Sequence, residues 1–234
     1  MRESLCLIPA KGTSMRLPRK NILPLNGKPL ITFAIEKAIK SNLFEKVCVS
    51  TEDSEIANIS KECGAEVPFT RPSELSSDPS TIVDVMIHAL NYYKKKNIDF
   101  QQISVLLPTA PFVTLEEITK AHSIFDNSNA EALMSVTPTD FPPYNSWLIS
   151  ELNGNDYLTP CFPNSKYRNT KSTECPKAYR SNGAILIVKT KELIKNLGFQ
   201  NLKIIPFEMP VEHSLDIDTS YEYMIAKLLF KDKN

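Results

Sequence analysis

The alternation of predicted strands and helices is the feature that most constrains how this chain can fold. Short apolar runs, typical of buried strands, are separated by segments whose apolar residues recur at helical spacing. The predicted strands cover 5–9, 47–50, 66–69, 103–107, 132–136, 184–188 and 204–207, and helices are predicted to begin near 29, 53, 81, 115 and 219. This order favours a three-layer α/β fold with a mainly parallel, twisted sheet covered on both faces. We predict a single domain over 1–234.

A Pro-rich and polar stretch at 138–177 interrupts this alternation. It is too long for an ordinary connection between a helix and a strand. We therefore predict an inserted hairpin, a lid or an arm that faces a partner. The single tryptophan, Trp147, lies in it together with Tyr144, Tyr157 and Phe162.

Composition excludes several classes of protein. The 27 basic residues are balanced by 27 acidic residues, so a general affinity for nucleic acid is not expected. No apolar stretch approaches the roughly 20 residues of a membrane span, and the first apolar run is too short for a signal peptide. The five cysteines contain no C-x-x-C pair. A reduced, cytoplasmic location is the simplest interpretation.

A basic loop follows the first predicted strand. Four cations and two hydroxyls lie between Lys11 and Asn21. In open α/β sheets, ligands bind beyond the carboxyl ends of strands, and lysine, arginine and backbone N–H groups in a loop can hold phosphate. Gly12 lets the backbone approach a ligand closely. The loop matches neither the G-x-G-x-x-G nor the P-loop pattern, and a solvated basic loop remains the alternative.

A resemblance narrows this choice. The segment Ile8–Asn21, followed by Asn26–Leu30, resembles the acylneuraminate cytidylyltransferase (CMP-sialic acid synthetase) family. Further motifs extend the similarity in order over nearly the whole chain, at 49–51, 71–78, 88–90, 107–111, 179–185 and 215–219. The resemblance implies a fold like that of nucleotide-diphospho-sugar transferases. It also implies transfer of CMP from CTP to the anomeric hydroxyl of a nine-carbon keto-sugar acid, with release of pyrophosphate.

The resemblance also implies a nucleotide site. Lys20 matches a lysine that contacts the triphosphate, and Arg71 matches an arginine that helps to recognise cytosine. Lys20 and Arg16 are the expected catalytic cations. Met15 stands where the family commonly has lysine, which predicts weaker triphosphate binding unless Arg16 or Arg19 compensates. The full predicted nucleotide-binding set is Ala10, Lys11, Gly12, Ser14, Lys20, Asn21, Arg71 and Thr81, of which Thr81 also begins a Thr-x-x-Asp capping box.

Two carboxylates near the C-terminus form a candidate metal site. Asp216 and Asp218 are two residues apart, so an extended backbone points both to one face. Mg²⁺ takes one or two carboxylates together with phosphate oxygens and water, and the resemblance places metal-binding aspartates here. Asp216 is also a predicted catalytic residue, because either it or a metal-bound hydroxide could take the proton of the sugar hydroxyl. The alternative is that this segment only caps the last helix, through Thr219 and Glu222.

The predicted acceptor side departs from sialic acid enzymes. Leu107 stands where those enzymes usually carry glutamine, and Leu186 where many carry tyrosine. An apolar Leu107 cannot bond a sugar hydroxyl or amide, so a different sugar acid is expected, with pseudaminic or legionaminic acid as candidates. Asp216, Thr109 and Lys171 complete the predicted sugar-binding set, with Lys171 in place of an expected arginine.

The resemblance implies that the arm at 138–177 packs across a homodimer. The partners expected are therefore CTP, the sugar acid and a second copy of the chain, with Mg²⁺ as cofactor. Two alternatives stay open. One is a nucleotidyltransferase for another acceptor, such as Kdo, and the other is a nucleotide-binding homologue with impaired catalysis.

Overall fold

The computed structural model describes residues 3–77 and 80–231, so Asp78 of the 71–78 motif lies outside the described residues. Within them the strands, in chain order, are β1 Ser4–Pro9, β2 Pro24–Leu25, β3 Lys28–Pro29, β4 Lys46–Ser50, β5 Gln102–Val105, β6 Ala132–Pro138, β7 Trp147–Leu152, β8 Asn155–Pro160, β9 Tyr179–Lys189 and β10 Ile204–Glu208. The α-helices are α1 Leu30–Ser41, α2 Ser54–Glu62, α3 Ile82–Lys94, α4 Leu115–Asp126, α5 Thr190–Asn196 and α6 Ser220–Lys231.

Six strands form the central sheet, in the order β10-β6-β9-β5-β1-β4. β1 pairs in parallel with both β4 and β5, and β10 pairs in parallel with β6. β9 alone runs against its two neighbours in this sheet, β5 and β6. The predicted mainly parallel α/β architecture is thus confirmed.

The burial of β1 explains the layering. Leu5, Cys6, Leu7 and Ile8 are all fully buried, which is expected for a central strand covered on both faces. Successive side chains point to opposite faces. Accordingly, Cys6 and Ile8 join one apolar cluster, whereas Leu5 and Leu7 join the other.

One predicted element was wrong, and one observed helix was missed. The predicted strand at 66–69 is reduced to a single bridge between Glu66 and Cys48, and Pro68 offers no N–H to extend a ladder there. The short helix α5 was not predicted, because its seven residues are too few for a clear helical period.

Helix starts follow the expected capping rules. The Asp53 side chain accepts hydrogen bonds from the N–H groups of Glu55 and Ile56 at the start of α2. Thr81 forms a complete capping box with Asp84 at the start of α3. These caps fix where the preceding loops end, and those loops lie beside the carboxyl ends of the strands.

The 138–177 stretch contains an antiparallel hairpin formed by β7 and β8. Asn153 and Gly154 connect the two strands with φ values of 54° and 78°, as a tight Asn-Gly hairpin turn requires. This hairpin is a separate two-stranded sheet inserted between β6 and β9. Among the described residues, no helix has the length and apolar character needed to cross a membrane.

Candidate active site

The carboxyl ends of β1, β4 and β5 lie at one edge of the sheet, where the connecting loops enclose a cavity of about 290 Å³. Its lining comes from four separate parts of the sequence: Pro9, Lys11, Lys20, Asn21, Arg71, Leu75, Ser76, Ser77, Ser80, Thr81, Ile82, Val85, Leu107, Pro108, Thr109, Asp216 and Asp218. Nine residues of the predicted site are therefore brought together. A larger hollow of about 890 Å³ at the opposite edge contains none of the predicted site residues.

Asp218 is the electrostatic centre of the basic side of this cavity. The ammonium of Lys20 donates to Asp218 Oδ1 at 2.5 Å, and the guanidinium of Arg16 donates to Oδ2 at 2.5 Å. Burial alone would raise the pKa of Asp218, but the hydrogen bond from Lys20 and the charges of Lys20 and Arg16 outweigh it and lower the pKa. Both predicted catalytic cations, Lys20 and Arg16, therefore form ion pairs with Asp218.

Asp216 has a different environment. Ile217, which separates the two aspartates, is fully buried and donates its N–H to the Thr109 carbonyl at 2.8 Å, so the segment is fixed and both aspartates line the cavity. The Oδ1 atom of Asp216 is buried and has no hydrogen-bond partner within the described part of the chain. Burial raises the pKa of Asp216, and the charge of Asp218 raises it further, whereas Thr109 and Lys20 act in the opposite direction.

Asp216 and Asp218 alone provide too few ligands for Mg²⁺, so phosphate oxygens of a bound nucleotide and water would have to complete the site. No cluster of three or more His, Cys, Asp or Glu side chains able to hold a metal occurs in residues 3–77 and 80–231. Asp216 nevertheless lines the cavity that the basic loop shares, and its unpartnered Oδ1 atom is a hard oxygen. Two carboxylates completed by phosphate oxygens and water match what Mg²⁺ accepts.

Arg71 forms the other wall of the cavity. It is only 4% exposed, and its Nε donates to Ser50 Oγ at 3.0 Å while a terminal nitrogen donates to the Ser50 carbonyl. Burial lowers the pKa of this guanidinium, and the charge of Glu52 raises it. Arg71 is therefore a fixed cation whose remaining N–H groups can read a neutral, acceptor-rich surface such as a nucleobase edge.

Within the basic loop, the side chains divide between the cavity and the neighbouring helix. Asn21 is buried and donates to the Lys11 carbonyl at 2.9 Å, which holds the two ends of the loop together. Arg19 adopts φ 56° and pairs with Asp53 and Glu55 instead of lining the cavity. Met15 is 90% exposed, and its thioether carries no charge that could replace a lysine there.

Gly12 faces away from the cavity. Its N–H donates to Glu52 Oε1 at 2.7 Å, and a Cβ atom there would lie 2.7 Å from Asp53 Oδ2. The glycine is therefore required by close packing on the neighbouring loop. Ala10 is buried and Ser14 is half-buried, and neither lines the cavity.

The predicted sugar-binding residues separate into two groups. Leu107 and Thr109 line the cavity beside Asp216. Leu186 lies within β9, paired with Val105 and Met134 in the middle of the sheet, and does not line it. Lys171 is exposed on the inserted stretch and is also absent from the lining.

Comparison with known proteins identifies the family. The model of the cytidylyltransferase family matches residues 5–201 of this chain. The chain belongs to the cytidylyltransferase family. The match includes the basic loop and Arg71, whereas Asp216 and Asp218 lie beyond its end.

Two relatives of this cytidylyltransferase match over almost their whole length. A pseudaminic acid cytidylyltransferase of Campylobacter jejuni is 30% identical over 229 residues, which cover 98% of this chain and 97% of the relative. A CMP-N,N′-diacetyllegionaminic acid synthase of Legionella pneumophila is 32% identical over 230 residues, with 97% and 96% covered. A CMP:2-keto-3-deoxy-manno-octonic acid synthetase complexed with CTP shares the fold, with a TM-score of 0.70, 16% identity and 99% of each chain covered.

Sequence reasoning assigned no role to a buried polar network behind Asp216. Asn182 accepts from Ser135 Oγ at 2.6 Å and donates to Ser214 Oγ at 2.9 Å. It thereby ties β6 and β9 of the cytidylyltransferase to the segment that carries Asp216. The polar Asn182 just before the apolar run at 184–188 was the available signal, but its partners are 47 and 32 residues away.

Proposed function

We propose that this chain transfers CMP from CTP to the anomeric hydroxyl of a nonulosonic, sialic-acid-like sugar acid and releases pyrophosphate. The observation that carries the proposal is the convergence of Lys20, Arg71 and the Asp216–Asp218 pair on one cavity in a member of the cytidylyltransferase family. These groups are respectively a phosphate-binding cation, a fixed guanidinium for the base and a carboxylate pair. The named activities of the relatives point to pseudaminic or legionaminic acid as acceptor.

Charge neutralisation is the main catalytic contribution that these residues offer. Lys20 and Arg16 are already positioned on Asp218. A triphosphate that enters the cavity presents oxygens with more negative charge than one carboxylate, so both cations can turn to it. They then offset the charge that builds on the leaving pyrophosphate as the sugar oxygen attacks the α-phosphorus.

We propose Mg²⁺ as the cofactor, with Asp216 and Asp218 as its protein ligands. When bound, Mg²⁺ offsets charge on phosphate oxygens. Asp216 offers a free Oδ1 atom, and Asp218 gains free oxygens once Lys20 and Arg16 turn to phosphate. The same exchange of partners would make the nucleotide and the metal favour one another's binding.

On the acceptor side, Leu107 supplies an apolar wall beside Asp216. Its Cδ1 atom lies 2.7 Å from where a Cβ of Gly183 would stand, so leucine and glycine fill this corner together. Such a wall favours an acceptor with an apolar group at this point over one that presents a hydroxyl or amide. Thr109, beside it, has a hydroxyl that can bond the sugar.

We further propose a homodimer formed through the inserted hairpin. Six large apolar side chains of the hairpin are at least half exposed: Trp147, Leu148, Ile149, Leu152, Tyr157 and Leu158. An isolated two-stranded hairpin is marginally stable, and an apolar surface of this kind marks an interface. If the inserted stretch of a partner reaches the cavity, it would bring Lys171 to the acceptor, whereas Lys171 does not line the cavity of its own chain.

We also propose a cytoplasmic location. Cys6, Cys48, Cys63, Cys161 and Cys175 are all unpaired. Unpaired cysteines in this number are typical of a reducing compartment.

The decisive experiment measures pyrophosphate release from CTP and Mg²⁺ with a panel of pseudaminic, legionaminic, sialic and octulosonic acids. Release is expected with a nine-carbon acid, and about 100-fold or more slower with Lys20→Ala because one charge-stabilising contact to the transition state is lost. The Lys20→Ala protein should keep its melting temperature within a few degrees. Wild-type protein that binds CTP but releases no pyrophosphate with any acceptor would refute the proposal.

A further inference from the structure

Glu52 connects the two loops that face each other across the cavity. Its Oε1 atom accepts the Gly12 N–H at 2.7 Å, and its Oε2 atom accepts the Ser76 hydroxyl at 2.8 Å. Gly12 belongs to the basic loop that also carries Lys11 and Lys20. Ser76 belongs to the loop that begins at Arg71. One carboxylate therefore bonds both walls of the cavity at once.

The position of Glu52 in the chain makes it a rigid link. It lies between the end of β4 at Ser50 and Asp53, the N-cap of α2. Asp53 is held further by its own N–H, which donates to Thr51 Oγ1 at 3.1 Å. Both neighbours of Glu52 are thus fixed, so its backbone provides a fixed base from which the carboxylate holds the two loops.

Glu52 does not itself line the cavity. It lies behind the basic loop, where Gly12 packs so closely that a Cβ atom would overlap Asp53. The N–H of Gly12 points toward Glu52, so this amide is used to hold the loop. Ser76 and Arg71, in contrast, line the cavity directly.

Glu52 also supports the charge of Arg71. Burial lowers the pKa of this guanidinium, and the Glu52 charge acts against that effect. A neutral side chain at position 52 would leave a buried cation with less compensation, beside the surface where we place the base.

We propose that Glu52 is a positioning residue that sets the separation between the phosphate-binding loop and the base-binding loop. The inference rests on the proposed function, because it assigns those loops to the triphosphate and the base of CTP. Glu52 touches neither substrate, so its loss should weaken nucleotide binding and leave turnover of the bound complex nearly unchanged.

The test compares Glu52→Gln with Glu62→Gln, the same substitution at an exposed position at the end of α2. A glutamine carries no charge and has one acceptor oxygen in place of two, so neither contact remains charge-assisted and one of the two donors faces an amide nitrogen that cannot accept. Amide hydrogen exchange of the ligand-free proteins should be several-fold faster at 10–21 and 71–77 in Glu52→Gln only. The Kd and KM for CTP should rise about tenfold, as expected for a lost charge-assisted bond, with kcat within about threefold of wild type.

Ser76→Ala breaks one half of the link and serves if Glu52→Gln unfolds. Ser76→Ala should weaken CTP binding less than Glu52→Gln does. Added to Glu52→Gln, it should weaken CTP binding little further, because both changes remove the same contact. Unchanged exchange in both loops would overturn the inference, as would a fall in kcat equal to the rise in KM. If wild-type protein fails to bind CTP, the proposed function fails, and the exchange data still decide whether Glu52 holds the loops.

Discussion

Asp218 is the residue whose surroundings say most about the ligand-free site. The two cations predicted to act on phosphate, Lys20 and Arg16, are paired with its two oxygens. A site that gathers cations without a ligand must balance their mutual repulsion, and Asp218 does so at short range. The same carboxylate is a candidate metal ligand, so its partners are expected to change when nucleotide arrives.

Asp216 leads to a prediction about pH. Its folded pKa is raised above the unfolded value, so ionisation of this carboxylate costs folding stability as pH rises from about 4 through the raised pKa. Asp216→Asn removes that cost. We expect the variant to be more stable than wild type in urea unfolding at pH 7, and the difference to shrink toward pH 4.

In the same Asp216→Asn protein, Mg²⁺-dependent activity should be lost, because the amide cannot replace an anionic metal ligand. Ser220→Ala, at an exposed position just beyond the pair, is a suitable control for both measurements. An Asp216→Asn protein that is less stable at pH 7 would contradict the prediction.

Met15 leads to a second prediction at this scale. Its side chain is 90% exposed in the basic loop, and Arg19 is engaged by Asp53 and Glu55. Met15→Lys should therefore tighten CTP binding about fivefold at low salt, the factor for one added cation near phosphate in water. Calorimetric titration measures it, and the gain should disappear in about 1 M salt. A gain that persists at high salt would argue against an electrostatic origin.

At the scale of elements, the hairpin of β7 and β8 stands out because it exposes several large apolar side chains. Trp147, Ile149 and Leu158 are between 51% and 73% exposed. Such strands are expected to pair with or pack against another molecule.

The hairpin predicts a shift in oligomeric state. Ile149→Asp should convert a dimer to a monomer at micromolar concentration, since a charge placed in an apolar interface is costly. Sedimentation equilibrium measures this, and circular dichroism should show an unchanged core. Glu151→Asp, on the same strand, is the matched control. A wild-type protein that is monomeric at high concentration would contradict the proposed dimer.

For the whole molecule, the decisive property is that the site joins the two ends of the chain. Lys20 and Asp218 are 198 residues apart in the sequence, and Lys20 Nζ lies 2.5 Å from Asp218 Oδ1. A ligand that bridges such distant segments binds the folded state alone, so it must stabilise the fold.

This linkage predicts which nucleotide raises the melting temperature. CTP with Mg²⁺ at about 100 times its Kd should add about 2.7 kcal/mol to the free energy of unfolding, whereas equal concentrations of ATP and GTP should add much less. Differential scanning fluorimetry measures the shift. An equal or larger shift with a purine nucleotide would contradict the assignment of CTP.

Much of this architecture follows from local patterns. The strands β1 and β4 and the caps at Asp53 and Thr81 could be predicted from neighbouring residues, because each depends on a short continuous apolar run or on a spacing of two or three residues. The strand predicted at 66–69 failed although β4, the last strand of the sheet, leaves an edge open beside it. Its local pattern was suitable, but two residues after the bridge at Glu66 the chain reaches Pro68, which has no N–H to continue a ladder.

The sequence by itself determined the fold class, the basic loop and the carboxylate pair. The fold class follows from the order of strands and helices along the chain, and the other two features each consist of residues close together in the sequence. Only the tertiary structure decided how they meet: that Lys20 and Arg16 rest on Asp218, that Arg19 turns to α2, and that Leu186 lies away from the cavity. It also revealed Glu52 and Asn182, whose partners lie 24 to 47 residues away. The physical reason is that contacts between distant segments depend on strand order and register, which no local pattern encodes.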